Sequence, residues 1–202
     1  MKVIGITGGI ASGKSFVSSV VKKAGYSVID ADLISKELSQ KNGSVYNAIV
    51  RTFGESYLDE NKEIDRQKLG SLIFNDKQAK GLLNSISHPL IIEEMERQIK
   101  DSNSDLVFID VPLLYESGLQ NMFDKIICVY LPRRLQIERL MNRDNISYEY
   151  AVKKIESQKN LEEKKKLADF IINSSESFDS VEENVIELIK KLKELWLIWQ
   201  QS

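Results

Sequence analysis

The sequence VIGITGGIASGKS, residues 3–15, joins an apolar run to a glycine-rich loop. Its second part, from Gly8 to Ser15, matches the pattern G-x-x-x-x-G-K-[ST], and a helical pattern follows at once. A strand, such a loop and a helix in this order are typical of a P-loop, whose backbone N–H groups surround phosphates. In that arrangement Lys14 reaches the β- and γ-phosphates and the hydroxyl of Ser15 binds Mg²⁺. The stretch therefore predicts a site for a nucleoside triphosphate, against the alternative of a glycine-rich turn that binds nothing.

The composition limits the remaining classes of protein. The chain has 202 residues and a formal net charge of −2, which provides no global attraction to nucleic acid or to an anionic membrane. No apolar run approaches the roughly 20 residues that a transmembrane helix needs. Cys128 is the single cysteine, which excludes an internal disulfide, and its apolar neighbours predict a buried thiol. We therefore expect a cytoplasmic protein that binds neither nucleic acid nor membranes and needs no obligate protein partner.

Apolar runs that alternate with helical patterns predict the fold class. Five runs have the length and composition of strands, and they cover residues 3–7, 28–30, 106–110, 126–131 and 169–173. Such alternation predicts an α/β protein with a five-stranded parallel sheet and helices on both faces, in three layers. We expect one domain over residues 1–202. Its predicted parts are a core (1–40, 105–132 and 168–202), a helical region (41–104) and a charged helical segment (133–167).

Polar side chains follow the predicted strands at their carboxyl ends, where open parallel sheets bind ligands. The first strand leads into the P-loop, and the other four are followed by Asp30 and Asp32, by Asp110, by Arg133 and by Asn173. Asp110 comes after four apolar residues and fits a Walker B position, whose carboxylate holds Mg²⁺ through water opposite Ser15. The alternative is a carboxylate that caps the following turn.

Asp30 and Asp32 allow two assignments. One of them can cap the helix that begins near Leu33, while the other orients an attacking hydroxyl or accepts its proton. We favour Asp32 as the group that faces the hydroxyl, against a structural role for both. His88 is the only histidine, and Pro89 after it predicts the first turn of a helix. We expect a structural or substrate-contacting role for His88 rather than metal binding.

Arginines cluster directly after the fourth predicted strand, at Arg133, Arg134, Arg139 and Arg143. On a helix, Gln136, Arg139 and Arg143 share one face. Guanidinium groups suit bidentate contacts with phosphate, so the segment predicts a lid that closes over the triphosphate, against the alternative of a solvated charged helix. Most lysines between residues 153 and 166 are expected to be solvated.

Missing motifs exclude several P-loop classes. A GTPase carries N-K-x-D, but the sequence at 61–64 is NKEI, which lacks the aspartate. The L-S-G-G-Q motif of ABC-type ATPases and the D-G-F-P-R motif of adenylate kinases are also missing from the sequence. The residues alone leave a small-molecule kinase, or a nucleotide-dependent binding module without catalysis.

The chain resembles the dephospho-coenzyme A kinase family over nearly its whole length. The matching segments are TGGIASGKS at 7–15, DAD at 30–32, Arg66 with LGSLIF at 69–74, His88-Pro89, DVPLLYE at 110–116, Gln136 with Arg139 and Arg143, Gln158, and AD-x-x-I-x-N at 168–173. The resemblance implies a P-loop nucleotide-kinase-like fold with a helical substrate-binding region at 41–104 and a lid at 133–167. It also implies ATP-dependent phosphorylation of the ribose 3′-hydroxyl of dephospho-coenzyme A, the last step of coenzyme A synthesis, with Mg²⁺.

The resemblance further implies a role for each matching residue. The catalytic residues would be Lys14, Asp32 and Arg139. ATP would be bound by Ala11, Ser12, Gly13, Lys14, Ser15, Phe16, Arg139 and Arg143. The coenzyme A side would be formed by Asp32, Arg66, His88, Leu113, Leu114 and Glu116, and the metal would be held by Ser15 and Asp110.

The chain departs from the family pattern at four positions. Ala11 stands where glycine is usual, and Phe16 replaces a second hydroxyl residue after the lysine. Lys154 stands where arginine is common, and Ser174 where asparagine or glycine is usual. We expect activity to survive, because Lys14 and its neighbouring hydroxyl remain. A kinase with a nucleoside or nucleotide acceptor stays an alternative.

Overall fold

The computed structural model describes residues 1–200, with side chains up to residue 197. In chain order its strands are β1 (Lys2–Gly8), β2 (Ser27–Asp30), β3 (Leu106–Asp110), β4 (Lys125–Tyr130) and β5 (Phe170–Asn173). Its helices are α1 (Lys14–Lys23), α2 (Ala31–Leu38), α3 (Ser44–Phe53), α4 (Arg66–Asn75), α5 (Lys77–Lys100), α6 (Arg133–Asp144), α7 (Tyr148–Glu156), α8 (Leu161–Leu167) and α9 (Phe178–Gln200). Among the helices of these residues, none has both the length and the apolar composition of a membrane span.

The chain divides into two compact units. The sheet unit comprises residues 1–29 together with the chain from Ser102 onward, and the helical unit comprises Asp30–Asp101. The helical unit begins earlier than the predicted helical region at 41–104, because α2 contacts α5 and so belongs with the helices. The assignment of both units to one kinase domain stays a prediction.

The sheet has the strand order β2-β3-β1-β4-β5, with β1 in the centre. β1 pairs in parallel with both β3 and β4, and β4 pairs in parallel with β5. The predicted α/β fold with a five-stranded parallel sheet is therefore confirmed. In the register of β1 and β3, Ile6 lies opposite Asp110. This pairing brings the P-loop and the segment after Asp110 to the same edge of the sheet.

The core of the sheet unit is built on the two central strands. Ile4 and Ile6 of β1 and Phe108 of β3 pack with apolar side chains of α1 and α9. Cys128 of β4 is buried, as predicted, and this burial raises the pKa of its thiol from 9.0 to about 12. The thiol therefore stays protonated at neutral pH and behaves as a small apolar side chain.

The helical unit has its own small core, in which Val45, Ile49 and Leu69 are buried. Carboxylates cap the helices around this core. Asp65 accepts a hydrogen bond from the backbone N–H of Lys68 at the start of α4, and Asp76 accepts bonds from the N–H groups of Gln78 and Ala79 at the start of α5. These caps satisfy N–H groups that the helix itself leaves unbonded.

The prediction of a helix entry at His88 and Pro89 was wrong. α5 begins at Lys77 and continues to Lys100, so Pro89 lies in its interior. A proline inside a helix has no N–H to donate to the preceding turn and costs about 3 kcal/mol by intrinsic propensity. Here α5 packs against α2, α3 and α4, and tertiary packing of this kind routinely overrides local propensity.

The charged segment at 133–167 forms the three helices α6, α7 and α8. Ile137 and Leu140 of α6 pack against Ala151 and Ile155 of α7 in a separate apolar cluster. The predicted helical character of this segment is confirmed, while its motion as a lid stays a prediction. Its apolar cluster also contacts Ala11 of the P-loop.

Substitution of Phe108 tests its assigned place in the core of the sheet unit. Phe108 is fully buried, whereas Phe74 is 89% exposed. We expect Phe108→Ala to lower the free energy of unfolding by about 3–5 kcal/mol, because it leaves a cavity between the sheet and its helices. The control Phe74→Ala should change it by less than about 0.5 kcal/mol. Urea denaturation measures both values, and equal effects would contradict the assigned core.

Candidate active site

The P-loop connects β1 to α1 through a tight turn. The backbone N–H of Ser12 donates to the carbonyl oxygen of Gly9 at 3.1 Å, and Gly13 caps α1 with φ 87°. This left-handed conformation favours glycine, because a β-carbon would meet the following carbonyl oxygen. Gly9 is required for another reason. A β-carbon there would lie 2.4 Å from Nε2 of Gln136.

Ala11 is the third residue of that turn and also has a left-handed backbone, with φ 58°. Glycine is the residue that adopts this conformation without a steric penalty, and it is the residue expected here from the family pattern. The strain of the β-carbon is of the order of 1–2 kcal/mol in this region of conformational space. The turn is therefore formed with an alanine at the cost of local strain.

An ion pair joins the start of α1 to the end of β3. Nζ of Lys14 donates to Oδ1 of Asp110, and Oγ of Ser18 donates to Oδ2 at 2.7 Å. The two charged side chains are only 16% and 7% exposed. A pair this well buried is strongly favoured over either charge alone. Asp110 is thus bound to the P-loop helix, and Ser15, on the same helix, is exposed.

Two glutamines of the segment 133–167, one on α6 and one between α7 and α8, hold the P-loop at Ile10. Nε2 of Gln136 on α6 donates to the carbonyl oxygen of Ile10 at 2.7 Å, and the N–H of Ile10 donates to Oε1 of Gln158 at 2.9 Å. Gln136 is only 2% exposed. Both the N–H group and the carbonyl group of Ile10 are therefore hydrogen-bonded, and these two bonds orient the P-loop at this residue.

Ser174, directly after β5, connects the P-loop to Arg139. Its hydroxyl donates to the carbonyl oxygen of Ser12 at 2.6 Å, and its own carbonyl accepts from Nη2 of Arg139 at 2.7 Å. Nη1 of Arg139 lies 3.8 Å from the position that a β-carbon of Gly13 would occupy. The structure therefore brings Arg139 to the start of α1, beside Gly13.

Arg143 is paired with a carboxylate of its own helix α6. Its Nε donates to Oδ1 of Asp144 at 2.8 Å, and Lys154 donates to Oδ2 of the same carboxylate at 2.8 Å. The hydrogen bonds from Arg143 and then from Lys154 hold the pKa of Asp144 at about 2. Arg143 thus has Asp144 as its anionic partner, and its contact with ATP stays a prediction.

The side chain of Phe16 belongs to the apolar core of the sheet unit. It packs against that core and meets the ring of Phe178 edge to face, with centroids 4.9 Å apart. Phe16 stands at the sequence position where the family pattern has a second hydroxyl residue. The backbone N–H of Phe16 donates to the carbonyl oxygen of Gly13 at 3.0 Å, so any contact of Phe16 with a phosphate would share this N–H.

The segment after Asp110 contains three residues assigned to the coenzyme A side. Leu113 is 42% exposed, whereas Leu114 is fully buried, and its Cδ1 would lie 2.8 Å from a β-carbon at Gly5. Leu114 therefore has no accessible surface for a substrate in this structure, and its contact with the substrate stays a prediction. Oε1 of Glu116 forms an ion pair with Nζ of Lys164 at 2.7 Å.

The remaining predicted residues lie in the helical unit. The carboxylate of Asp30 accepts from the N–H groups of Asp32 and Leu33 at 3.0 Å, so Asp30 is the cap of α2. Asp32 lies in the first turn of that helix. Arg66 is the first residue of α4 and is exposed, and His88 is a half-buried residue of α5. The roles of Asp32, Arg66 and His88 stay predictions.

Sequence reasoning missed several residues that shape this site. They are Ser18, which binds Asp110, Ser174, which binds the P-loop, and Lys164, which is fully buried. Gln136 and Gln158 were part of the family pattern, but no role was assigned to them. In the described part of the chain, no group of three or more histidine, cysteine or carboxylate side chains is arranged as a metal site.

Comparisons with known proteins support a single family. A family model described as dephospho-CoA kinase matches residues 2–180. A protein named dephospho-CoA kinase from Carboxydothermus hydrogenoformans is 39% identical over 205 residues, covering 100% of this chain and 98% of that protein. The protein of the same name from Bacillus cereus (strain ZK / E33L) is 44% identical over 193 residues, covering 94% of this chain and 96% of the other.

Solved structures agree with these sequence matches. A dephospho-CoA kinase from Campylobacter jejuni is 33% identical, with a TM-score of 0.70, and the match covers 95% of this chain and 97% of that one. A structure of TT1252 from Thermus thermophilus has a TM-score of 0.83 at 27% identity, with the same coverage. A shikimate kinase from Bacteroides thetaiotaomicron, 13% identical with a TM-score of 0.52, shares the fold.

Replacement of Ala11 tests the strain in the P-loop turn. We expect Ala11→Gly to raise the free energy of unfolding by about 0.5–1 kcal/mol, because the relief of the β-carbon clash exceeds the entropy that glycine gains in the unfolded chain. The control is Ala24→Gly, an exposed position with φ −73°, which should be destabilising. Urea denaturation measures both, and a loss of stability in both variants would contradict the strain.

Proposed function

The chain belongs to the dephospho-coenzyme A kinase family, and on this basis we propose that it phosphorylates the ribose 3′-hydroxyl of dephospho-coenzyme A with ATP. The products are coenzyme A and ADP, so the reaction is the last step of coenzyme A synthesis. The observation that carries the proposal is the ion pair of Lys14 and Asp110 at the P-loop, with Arg139 beside Gly13. P-loop kinases use a lysine, a carboxylate and an arginine in these positions.

The P-loop suits the triphosphate of ATP. The start of α1 offers N–H groups and the positive end of the helix dipole. Oγ of Ser12 is buried, and within the described residues it has no hydrogen-bond partner. A phosphate oxygen would satisfy this hydroxyl, and an unsatisfied buried hydroxyl is otherwise unfavourable. Ala11 to Phe16 would contribute through their backbone.

The oxygen atoms of Ser15 and Asp110, near the carboxyl ends of the strands, also suit Mg²⁺. This ion prefers oxygen ligands and keeps several waters, so that one or two protein groups and the phosphates complete its coordination. Ser15 would supply a hydroxyl and Asp110 a carboxylate, the latter through water. Bound there, the ion would neutralise charge on the phosphates. Lys14 can exchange its carboxylate partner for the phosphate oxygens, which frees Oδ1 of Asp110 to accept hydrogen bonds from water.

The transfer itself requires orientation and charge stabilisation. The bond between the γ-phosphorus and its bridging oxygen breaks, the 3′-oxygen bonds to the phosphorus, and ADP leaves with the bridging oxygen. Lys14 and Arg139 would stabilise the charge on the transferring group, and Arg143 would join them from the lid. Asp32 would orient the hydroxyl and accept its proton late, since the proton leaves late in a loose phosphoryl-transfer transition state.

The acceptor side would be formed by the residues that the family pattern assigns to it. Arg66, His88, Leu113 and Glu116 would contact dephospho-coenzyme A, whereas Leu114 is fully buried. Because both substrates are small molecules, we propose a cytoplasmic enzyme that acts without nucleic acid, membrane or an obligate protein partner.

A panel of acceptors tests the proposed function. ADP release from ATP and Mg²⁺ should rise strongly with dephospho-coenzyme A and little with nucleosides or nucleotides. Preferred turnover of a nucleoside or nucleotide would instead identify another small-molecule kinase. Nucleotide binding with no acceptor-stimulated ADP release would identify a binding module without catalysis.

Removal of the P-loop lysine tests the catalytic assignment. We expect Lys14→Ala to lower kcat by at least ~10²-fold, because it removes positive charge from the transferring phosphoryl group. Lys22→Ala is the control, since Lys22 is an exposed lysine of the same helix. Steady-state kinetics measures both, and near-normal turnover of Lys14→Ala would refute the P-loop assignment.

Asp32→Asn tests the group proposed to face the hydroxyl. We expect ATP affinity to be kept while phosphoryl transfer falls by at least ~10²-fold, because the amide cannot accept the proton. Glu37→Gln, an exposed carboxylate on α2, is the matched control. Calorimetry measures the affinity for ATP, and single-turnover kinetics measures the rate of phosphoryl transfer. A lower ATP affinity at unchanged turnover would show that Asp32 has a different role.

A further inference from the structure

Lys164 is the one buried lysine among the three lysines of its helix. It lies in α8, and its side chain is 0% exposed, whereas Lys166 is exposed. A buried ammonium is strongly unfavourable unless it is paired and hydrogen-bonded. Its retention in the core of the sheet unit therefore calls for partners of matching charge and polarity.

Three partners satisfy the ammonium group. Nζ of Lys164 lies 2.7 Å from Oε1 of Glu116, and it donates to the carbonyl oxygens of Pro112 at 2.9 Å and of Gly8 at 3.4 Å. An ammonium has three donors, so all of them are used. Oε1 of Glu116 also accepts from the backbone N–H of Lys159 at 2.9 Å, which ties the carboxylate to the chain just before α8.

These partners belong to the two segments that carry the reactive groups. Gly8 is the first residue of the P-loop, and Pro112 comes two residues after Asp110. The backbone ladder between β1 and β3 extends as far as the bond from the N–H of Val111 to the carbonyl of Ile6. From there side chains join the segments, since both Lys164 and Oγ1 of Thr7 donate to the carbonyl oxygen of Pro112.

We propose that Lys164 and Glu116 are a positioning pair for phosphoryl transfer, which holds the entry of the P-loop and the segment after Asp110 in one arrangement. Neither residue needs to touch the transferred phosphoryl group in this role. The pair acts through Lys14 and Asp110, whose relative position depends on the same two segments. The inference rests on the proposed kinase activity and gives Glu116 a positioning role in addition to the substrate contact proposed above.

The first test separates positioning from substrate binding. We expect Lys164→Met to lower kcat by about 10- to 100-fold, because small displacements of reacting groups have effects of this size. The KM values for ATP and acceptor should stay within about threefold, since ground-state contacts are kept. Lys164→Arg, which keeps the charge, should restore part of kcat, and Lys166→Met is the exposed control. A variant Lys164→Met that is folded and has full kcat overturns the proposal.

A double variant separates positioning from stability. Lys164→Met alone should lower Tm, since it leaves Glu116 without its cation, and Lys164→Met/Glu116→Met should recover Tm, because apolar replacements of both partners are tolerated. We expect kcat to remain low in the double variant, whose methionine cannot donate to the carbonyls of Gly8 and Pro112. Recovery of kcat together with Tm would reduce the pair to a stabilising role and overturn the proposal.

Hydrogen exchange provides a readout that does not depend on the acceptor. Backbone amides in residues 8–13 and 111–116 should exchange at least about tenfold faster in the single and the double variant than in Lys166→Met. If the exchange rates of both segments are unchanged in the variants, the proposed positioning role is wrong, whatever the activity. Wild-type protein that does not phosphorylate dephospho-coenzyme A overturns the proposed function instead, so the two failures are distinguishable.

Discussion

The ion pair between Lys14 and Asp110 is the interaction on which the rest of the site depends. It forms because β1 and β3 are neighbours, with Ile6 opposite Asp110, so that the loop after one strand meets the carboxylate at the end of the other. Both charges are largely withdrawn from water, and neither would be favourable there alone. The ion pair therefore requires three features together: this strand order, the start of α1 after β1, and the burial of the two strand ends.

Residues 133–167 contribute to the same constraint through side chains that bind the P-loop. Gln136, Gln158 and Lys164 bind backbone groups of the P-loop, and Arg139 is held by the carbonyl of Ser174 beside it. A glycine-rich loop loses much conformational entropy when it is ordered. Hydrogen bonds from packed side chains offset that loss, so the loop is held in one shape in the structure.

Departures from the family pattern are accommodated by their surroundings. Ala11 adopts the left-handed backbone that a glycine would take, within a turn held at Gln136 and Gln158. Phe16 joins the core and Phe178, so the loss of a hydroxyl is accompanied by a gain in apolar packing. Ser174 uses its hydroxyl to bind the carbonyl of Ser12. Each of the three residues thus makes contacts within the P-loop or the core that surrounds it.

The sequence by itself determined the strands, the P-loop and the family, because apolar runs, glycine spacing and short motifs are local properties of the chain. It left open which of Asp30 and Asp32 caps α2, and it misplaced the helix entry at Pro89. Only the tertiary structure decided that Asp30 is the cap, that Lys164 is buried against Glu116, and that Asp110 is bound by Lys14 and Ser18. The physical reason is that burial and pairing depend on segments far apart in sequence, which local propensity does not encode.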